Sequence, residues 1–245
     1  MGAHEDQPLL RQGPELRDAR GLLILLHGRG ATAEDILSLA PQLEHEGIAF
    51  AAPQADSNSW YPYSFLVPAQ QNEPGVSSAM KVVASLVTEA DLLGVPPEKV
   101  MILGFSQGAC LALEFAARNP GRYGGIYALS GGLIGPPGTT WESEASLSGT
   151  PIFIGCSDVD PHIPRSRVEE SGEVLTRLGA SVTVKLYAGM GHTISSAELE
   201  KINRMIASVL GEAGSGAGRA ASEASAGPDG AGAQPANEAT RRPPA

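Results

Sequence analysis

Short apolar runs recur along this chain, each too short for a buried helix and almost unbroken by polar residues. Gly21–His27, Ile48–Pro53, Val100–Phe105, Gly124–Leu129 and Pro151–Gly155 all read this way. A strand with no polar side must be covered on both faces, as in a parallel sheet held between two helical layers. Ser181–Tyr187 alternates instead, which suits a sheet edge. Helical patterns separate the runs. Thr32 can cap a helix on which Ile36, Leu39, Ala40 and Leu43 share a face, and Pro41 divides it into two short pieces. Ala79, Val83, Leu86, Ala90 and Leu93 line a second helix, closed by Gly94 and Pro96-Pro97. Gln107–Arg118 is apolar nearly all round, and Arg165–Leu178 ends at Gly179. Ser195 and Glu198 form a capping-box pattern ahead of Leu199, Ile202, Ile206 and Val209. The expectation is an α/β fold, a mainly parallel sheet with helices on both faces.

The pattern stops near residue 210. From Gly211 to Ala245 there is no Val, Ile, Leu, Met, Phe, Tyr or Trp, so nothing there can bury enough apolar area to offset chain entropy. A disordered Ala/Gly-rich tail over 211–245 is expected, with a polar N-terminal segment over 1–20, where Leu9-Leu10 suggests a short edge hairpin. The folded domain is then 21–210.

Charge and cysteine usage exclude several classes. Lys+Arg 17 against Asp+Glu 27 gives a net charge of −10, which leaves no basic surface for nucleic acid or anionic lipid. No apolar stretch approaches the ~18 residues of a membrane span. The opening Met1-Gly2-Ala3-His4-Glu5-Asp6 is too polar for a signal peptide. Two cysteines, Cys110 and Cys156, make no disulfide framework, so a reducing, cytoplasmic location is expected.

Chemistry enters at Gly104-Phe105-Ser106-Gln107-Gly108, between an apolar strand and a buried helix. A glycine two before and two after a serine relieves the crowding of a sharp strand-to-helix turn, the nucleophile-elbow arrangement. Such a serine sits at the positive end of its helix. It needs a base, and in this architecture the acid and then the histidine follow it in the chain. Only His162 and His192 follow Ser106. His192 lies in the glycine-rich loop Ala188–His192 just past a strand, where a base would be presented, whereas His162 crowds directly behind Asp160-Pro161. The acid should follow the strand beginning at Pro151, where Asp158 and Asp160 compete; Asp160 is favoured because Pro161 rigidifies the chain after it. Two backbone N–H groups should bind the developing oxyanion, that of Gln107 and one from the loop Leu26–Gly30, with Arg29 the candidate. His27 reads as a brace for that loop. The Arg29 side chain has two equal readings, contact with an acidic or polar substrate or plain solvation.

Several stretches together resemble the phospholipase/carboxylesterase family of α/β-hydrolases, which includes acyl-protein thioesterases. They are Leu26–Gly30, Ser59-Trp60-Tyr61-Pro62-Tyr63, Gly104–Gly108, Asp158–Pro164 and Gly191-His192. The resemblance covers about residues 20–210. It implies an α/β-hydrolase fold with Ser106, Asp160 and His192 as catalytic triad and the Arg29 and Gln107 amides as oxyanion hole. Arg29 in the first loop is similar to the bacterial esterase branch. The stretch between Leu129 and Pro151 is too short for a large cap domain, so an open site is expected, with Trp60, Tyr63, Leu133 and Ile163 as substrate-binding walls.

The expected activity is a carboxylesterase that cleaves ester or thioester bonds of small to medium acyl substrates through an acyl-enzyme, with no cofactor and no metal. Opening of lactones and a catalytically silent binding module are the alternatives. A homodimer is compatible with the sequence.

Overall fold

The structure is a computed structural model that describes residues 4–43 and 46–211. Of the tail expected over 211–245, residues 212–245 lie outside the described residues. Seven strands form one sheet: β1 (Leu9–Gln12), β2 (Gly21–Leu26), β3 (Ile48–Pro53), β4 (Val100–Phe105), β5 (Gly125–Leu129), β6 (Pro151–Ser157) and β7 (Ser181–Tyr187). Their spatial order is β1-β3-β2-β4-β5-β6-β7. Only β1 runs antiparallel, against β3; all other pairings are parallel.

The unbroken apolar runs have the cause expected of them. Leu22, Ile24 and Leu26 of β2 pack in one cluster with Val83 and Leu86 of α2 (Gly75–Leu92), Leu111 and Phe115 of α3 (Gln107–Arg118) and Val168 of α4 (Arg165–Arg177). Leu23 and Leu25 pack on the opposite face with Ile36 of α1 (Ala33–Leu37) and Ile202 and Ile206 of α5 (Ser196–Leu210). Successive side chains of a strand point to opposite faces, so a strand with helices on both sides has no polar position to spare. β7 alternates because it is the free edge beyond β6, with mostly exposed residues.

Two helix starts follow their capping signals. Thr32 accepts from the Asp35 amide and Ser195 from the Glu198 amide, each with the reciprocal carboxylate bond of a capping box. Pro41 does split its segment, leaving α1 and a short 3-10 turn at Ala40–Gln42.

The N-terminal segment differs from expectation. Leu9–Gln12 is an edge strand on β3 rather than a local hairpin, and His4 is buried, its amide donating to Ser78 Oγ at 3.0 Å. An edge strand gains backbone hydrogen bonds whatever its side chains are, so polarity alone hides it. Among the described residues no helix is long and apolar enough to cross a membrane.

Candidate active site

Strand β4 ends at Phe105 and α3 begins at Gln107, which leaves Ser106 alone to make the turn. Its φ of 54° and ψ of −116° lie in a region that a non-glycine residue occupies only when its surroundings force it. The flanking glycines are steric necessities. A Cβ on Gly104 would meet the Gly108 carbonyl oxygen at 2.2 Å, and one on Gly108 would meet the Leu26 carbonyl oxygen at 2.1 Å. The turn is anchored by the Ser106 amide on Leu129 O at 2.9 Å and by the Cys110 amide on Ser106 O at 3.0 Å.

His192 stands in the loop between β7 and α5. Its Nε2 lies 2.9 Å from Ser106 Oγ and its Nδ1 2.8 Å from Asp160 Oδ2. A carboxylate can only accept, so Nδ1 carries the proton and Nε2 is free to accept the serine hydroxyl. The rings of Phe105 and His162 flank the imidazole, with centroids at 5.0 and 4.8 Å.

Asp160 follows β6, and its side chain is fully covered. Oδ1 accepts the amides of His162 at 2.8 Å and Ile163 at 3.0 Å. Oδ2 accepts His192 and faces the Cys156 thiol at 3.8 Å. Burial pushes this carboxyl up, but the hydrogen bonds from His192 and the two amides outweigh it and hold it below its ordinary value. The neighbouring Asp158 does a different job. Its Oδ1 accepts the Gly189 amide at 2.8 Å, which fastens the start of the loop that carries His192.

Arg29 and Gln107 border the same cavity as Ser106 and His192, a cleft of about 420 Å³ whose walls also include Tyr61, Phe65 and Ile163. Gln107 opens α3, so its N–H has no partner within the helix. In the Arg29 loop, Gly30 N donates to Asn58 O and Ala31 N to Gly28 O. The Arg29 guanidinium, exposed at the cleft, donates to Ser59 Oγ, Pro62 O and Tyr63 O. His27 is a brace, as expected. Its Nε2 accepts the Ala55 amide at 3.1 Å, its Nδ1 faces Gly28 O at 2.8 Å, and burial lowers its pKa.

Of the four expected wall residues, Ile163 lines the cleft. Trp60 and Leu133 are fully buried in the core instead, and Tyr63 points into solvent at 58% exposure. Trp60 is held inward because its indole N–H donates to His27 O at 2.9 Å. The walls are Tyr61 and Phe65, each one or two positions from the expected aromatic, together with Ser64, Cys110 and His162. Cys110 was legible in principle, since it lies four residues past Ser106 and so on the same helical face.

The phospholipase/carboxylesterase family matches residues 14–210 of this chain. The chain belongs to the phospholipase/carboxylesterase family. It is similar to a phospholipase/carboxylesterase from Dyadobacter fermentans, with a TM-score of 0.79, 43% identity and coverage of 84% of this chain and 98% of the other. It is also similar to acyl-protein thioesterase 1 of Saccharomyces cerevisiae, 29% identical over 80% of this chain and 96% of that protein. The thioesterase 1 of Kluyveromyces lactis is 27% identical, over 82% and 97%. As a member of the phospholipase/carboxylesterase family the chain is a serine hydrolase of ester or thioester bonds. Residues 130–150, between β5 and β6, hold no helix or strand, so this member carries no cap domain there.

Proposed function

We propose that the protein is a carboxylesterase in which Ser106, His192 and Asp160 form the catalytic triad and the backbone N–H groups of Arg29 and Gln107 form the oxyanion hole. The observation that carries this reading is the unbroken relay from Ser106 Oγ through both nitrogens of His192 to Asp160, at 2.9 and 2.8 Å. Both distances are within the reach a nucleophile and its base require.

His192 Nε2 takes the hydroxyl proton as Ser106 attacks the carbonyl carbon, and Asp160 stabilises the imidazolium without itself being protonated. The carbonyl oxygen becomes an oxyanion beside the two amides, at the positive end of α3. The imidazolium then protonates the departing alcohol or thiol, leaving an acyl group on Ser106. Water, deprotonated by His192, attacks that acyl group, and the same steps in reverse order release the acid and regenerate the serine.

The cleft of about 420 Å³, bounded by Tyr61, Phe65 and Ile163, suits small to medium acyl groups. The absence of a cap between β5 and β6 favours an open site. A cytoplasmic location belongs to this reading and agrees with two unpaired buried thiols.

The test is a fluorophosphonate probe together with a panel of p-nitrophenyl esters, acyl thioesters and lactones. Covalent labelling at Ser106, lost in Ser106→Ala along with ester turnover, is expected. Folded protein that neither labels nor turns over any of the panel would be a binding module, and turnover of lactones alone would make it a lactone hydrolase.

A further inference from the structure

The two residues assigned to the oxyanion hole come from separate parts of the chain, yet their side chains grip the same short segment. Arg29 Nη1 donates to Ser59 Oγ at 3.0 Å and to Pro62 O at 3.0 Å, and Nη2 donates to Tyr63 O at 2.7 Å. The guanidinium also lies over the Tyr61 ring, 5.8 Å from its centroid. Gln107 holds the segment from the other side. Its Oε1 accepts the Trp60 amide at 2.9 Å, and its Nε2 donates to Tyr61 O at 2.8 Å and to Ser59 Oγ at 3.3 Å.

Both side chains hydrogen-bond to Ser59 Oγ. It accepts from both and donates its own proton to Tyr61 O at 2.9 Å. The chain entering this point is also fixed. Ser57 and Asn58 have φ of 50° and 57°, and Asn58 O accepts the Gly30 amide at 2.7 Å. Positive φ at two successive non-glycine residues costs energy and persists only where the surroundings over-determine it. The residues that line the cleft include Arg29, Tyr61 and Gln107 but not Ser59.

The geometry points to Ser59 as a positioning residue for the oxyanion hole: its hydroxyl couples the Arg29 and Gln107 side chains, and so fixes the spacing of the two amides that receive the oxyanion. This rests on the proposed catalytic reading. A donor pair of this kind works by being already in place, since any movement needed to meet the charge subtracts from its effect. The strap of residues 59–63 spans the two donors, and its removal at one shared atom loosens both together.

The experiment compares Ser59→Ala and Ser59→Thr with the parent enzyme on p-nitrophenyl acetate, with kcat normalised to sites titrated by the fluorophosphonate, so that unfolded molecules are not counted. Losing one hole donor outright costs roughly 10²–10³ in kcat. A donor displaced rather than deleted should cost less, so kcat of Ser59→Ala should fall roughly tenfold, with KM little changed. The second-order rate of phosphonate labelling should fall in proportion, because the phosphonyl oxygen enters the same hole. The acid limb of the pH–rate profile should stay where it is, since the relay through His192 is untouched. Ser59→Thr, which keeps the hydroxyl, should recover most of the rate. Arg29→Ala combined with Ser59→Ala should lose little more than either alone, as for groups that act as one unit. An unchanged kcat in Ser59→Ala, a loss confined to KM, or a Ser59→Thr as slow as Ser59→Ala would overturn the role given to Ser59. Absence of labelling at Ser106 in the parent would instead overturn the catalytic reading beneath it.

Discussion

Asp160 Oδ2 lies 2.8 Å from His192 Nδ1, while the carboxylate two residues earlier, Asp158, spends its Oδ1 on the Gly189 amide. One acid orients the ring and the other anchors the loop that carries it. Asp160→Asn should therefore lower kcat by about 10⁴-fold, because an amide that donates toward Nδ1 favours the wrong imidazole tautomer. Asp158→Asn keeps a carbonyl oxygen for the Gly189 N–H and should stay within a few-fold of the parent. Steady-state kinetics on one p-nitrophenyl ester decide the matter, and equal losses in the two variants would undo the division of labour.

The Cys156 thiol gives a pH prediction. Burial and the nearby Asp160 charge push its pKa up to about 12, so it stays protonated and can donate to Asp160 Oδ2 at 3.8 Å throughout the working range. A donor on that oxygen draws charge away from its bond to His192. Cys156→Ala removes the donor, strengthens the hold on the imidazolium and should move the acid limb of kcat/KM to higher pH by a few tenths of a unit. Cys156→Ser, a stronger donor, should move it the other way. Shifts of the same sign in both variants would rule the thiol out as a modulator of the relay.

His27 links folding to pH. Its Nε2 accepts the Ala55 amide, an arrangement only the unprotonated nitrogen can make, and burial lowers its pKa below 6.5. The unfolded chain then takes up the proton first. The stability His27 contributes is complete above that ordinary value and is lost as pH falls through the lower, folded value. Urea midpoints measured through the weakly acidic range should decline in the parent. They should decline less in His27→Gln, which starts from a lower plateau. A parallel slope in the two proteins would exclude His27 as the source.

Glycine positions divide into two kinds. Gly108→Ala puts a Cβ 2.1 Å from Leu26 O and 2.7 Å from His27 O, both backbone atoms that cannot swing away. Either α3 moves off the sheet or Ser106 leaves its turn, so the variant should lose several kcal/mol and its activity, beyond what most single substitutions cost. Gly30→Ala meets nothing within 4 Å but must hold φ at +78°. It should cost only about 1–2 kcal/mol. Thermal melts of the two variants test the contrast, which fails if Gly108→Ala melts with the parent.

How much of this was legible depended on whether the signal was periodic. Leu22–Leu26 announces a strand covered on both sides because the requirement applies to every residue in turn. Ser106 was legible because two glycines at fixed spacing are demanded by two backbone contacts, and His192 because a glycine-rich loop follows a strand end. The cleft walls were not. Between β3 and α2 the chain has no repeating pattern, so nothing in Trp60-Tyr61-Pro62-Tyr63 tells which aromatic turns inward. The choice is made by tertiary hydrogen bonds that this stretch makes with His27 and Gln107, residues distant in sequence. Strand β1 was hidden for the opposite reason, since it joins the sheet through backbone bonds that leave little mark on side-chain identity.

Glu114 is the charged residue that an almost wholly apolar α3 conceals. It is 1% exposed and faces three donors: Arg118 Nε reaches Oε1 at 2.7 Å, while the Ile134 amide and the Trp141 indole N–H reach Oε2 at 3.0 and 3.2 Å. It thereby ties the stretch after β5, which has no regular structure of its own, to the helix that follows Ser106. Burial raises its pKa, and the Arg118 charge only partly offsets that. A raised folded value means that the contribution of Glu114 is fullest below the unfolded carboxyl range and shrinks as pH rises through the folded value. Glu114→Gln keeps one acceptor oxygen, yet its NH₂ must then confront donors on one side. The net effect at neutral pH should be a loss of about 1–3 kcal/mol, the cost of leaving a buried donor unmet. Urea denaturation should show it as a lower midpoint with an unchanged slope. Because the tie lies two turns from Ser106, kcat on small esters should hold while the midpoint drops. A variant as stable as the parent would mean that the loop stays in place without its carboxylate anchor.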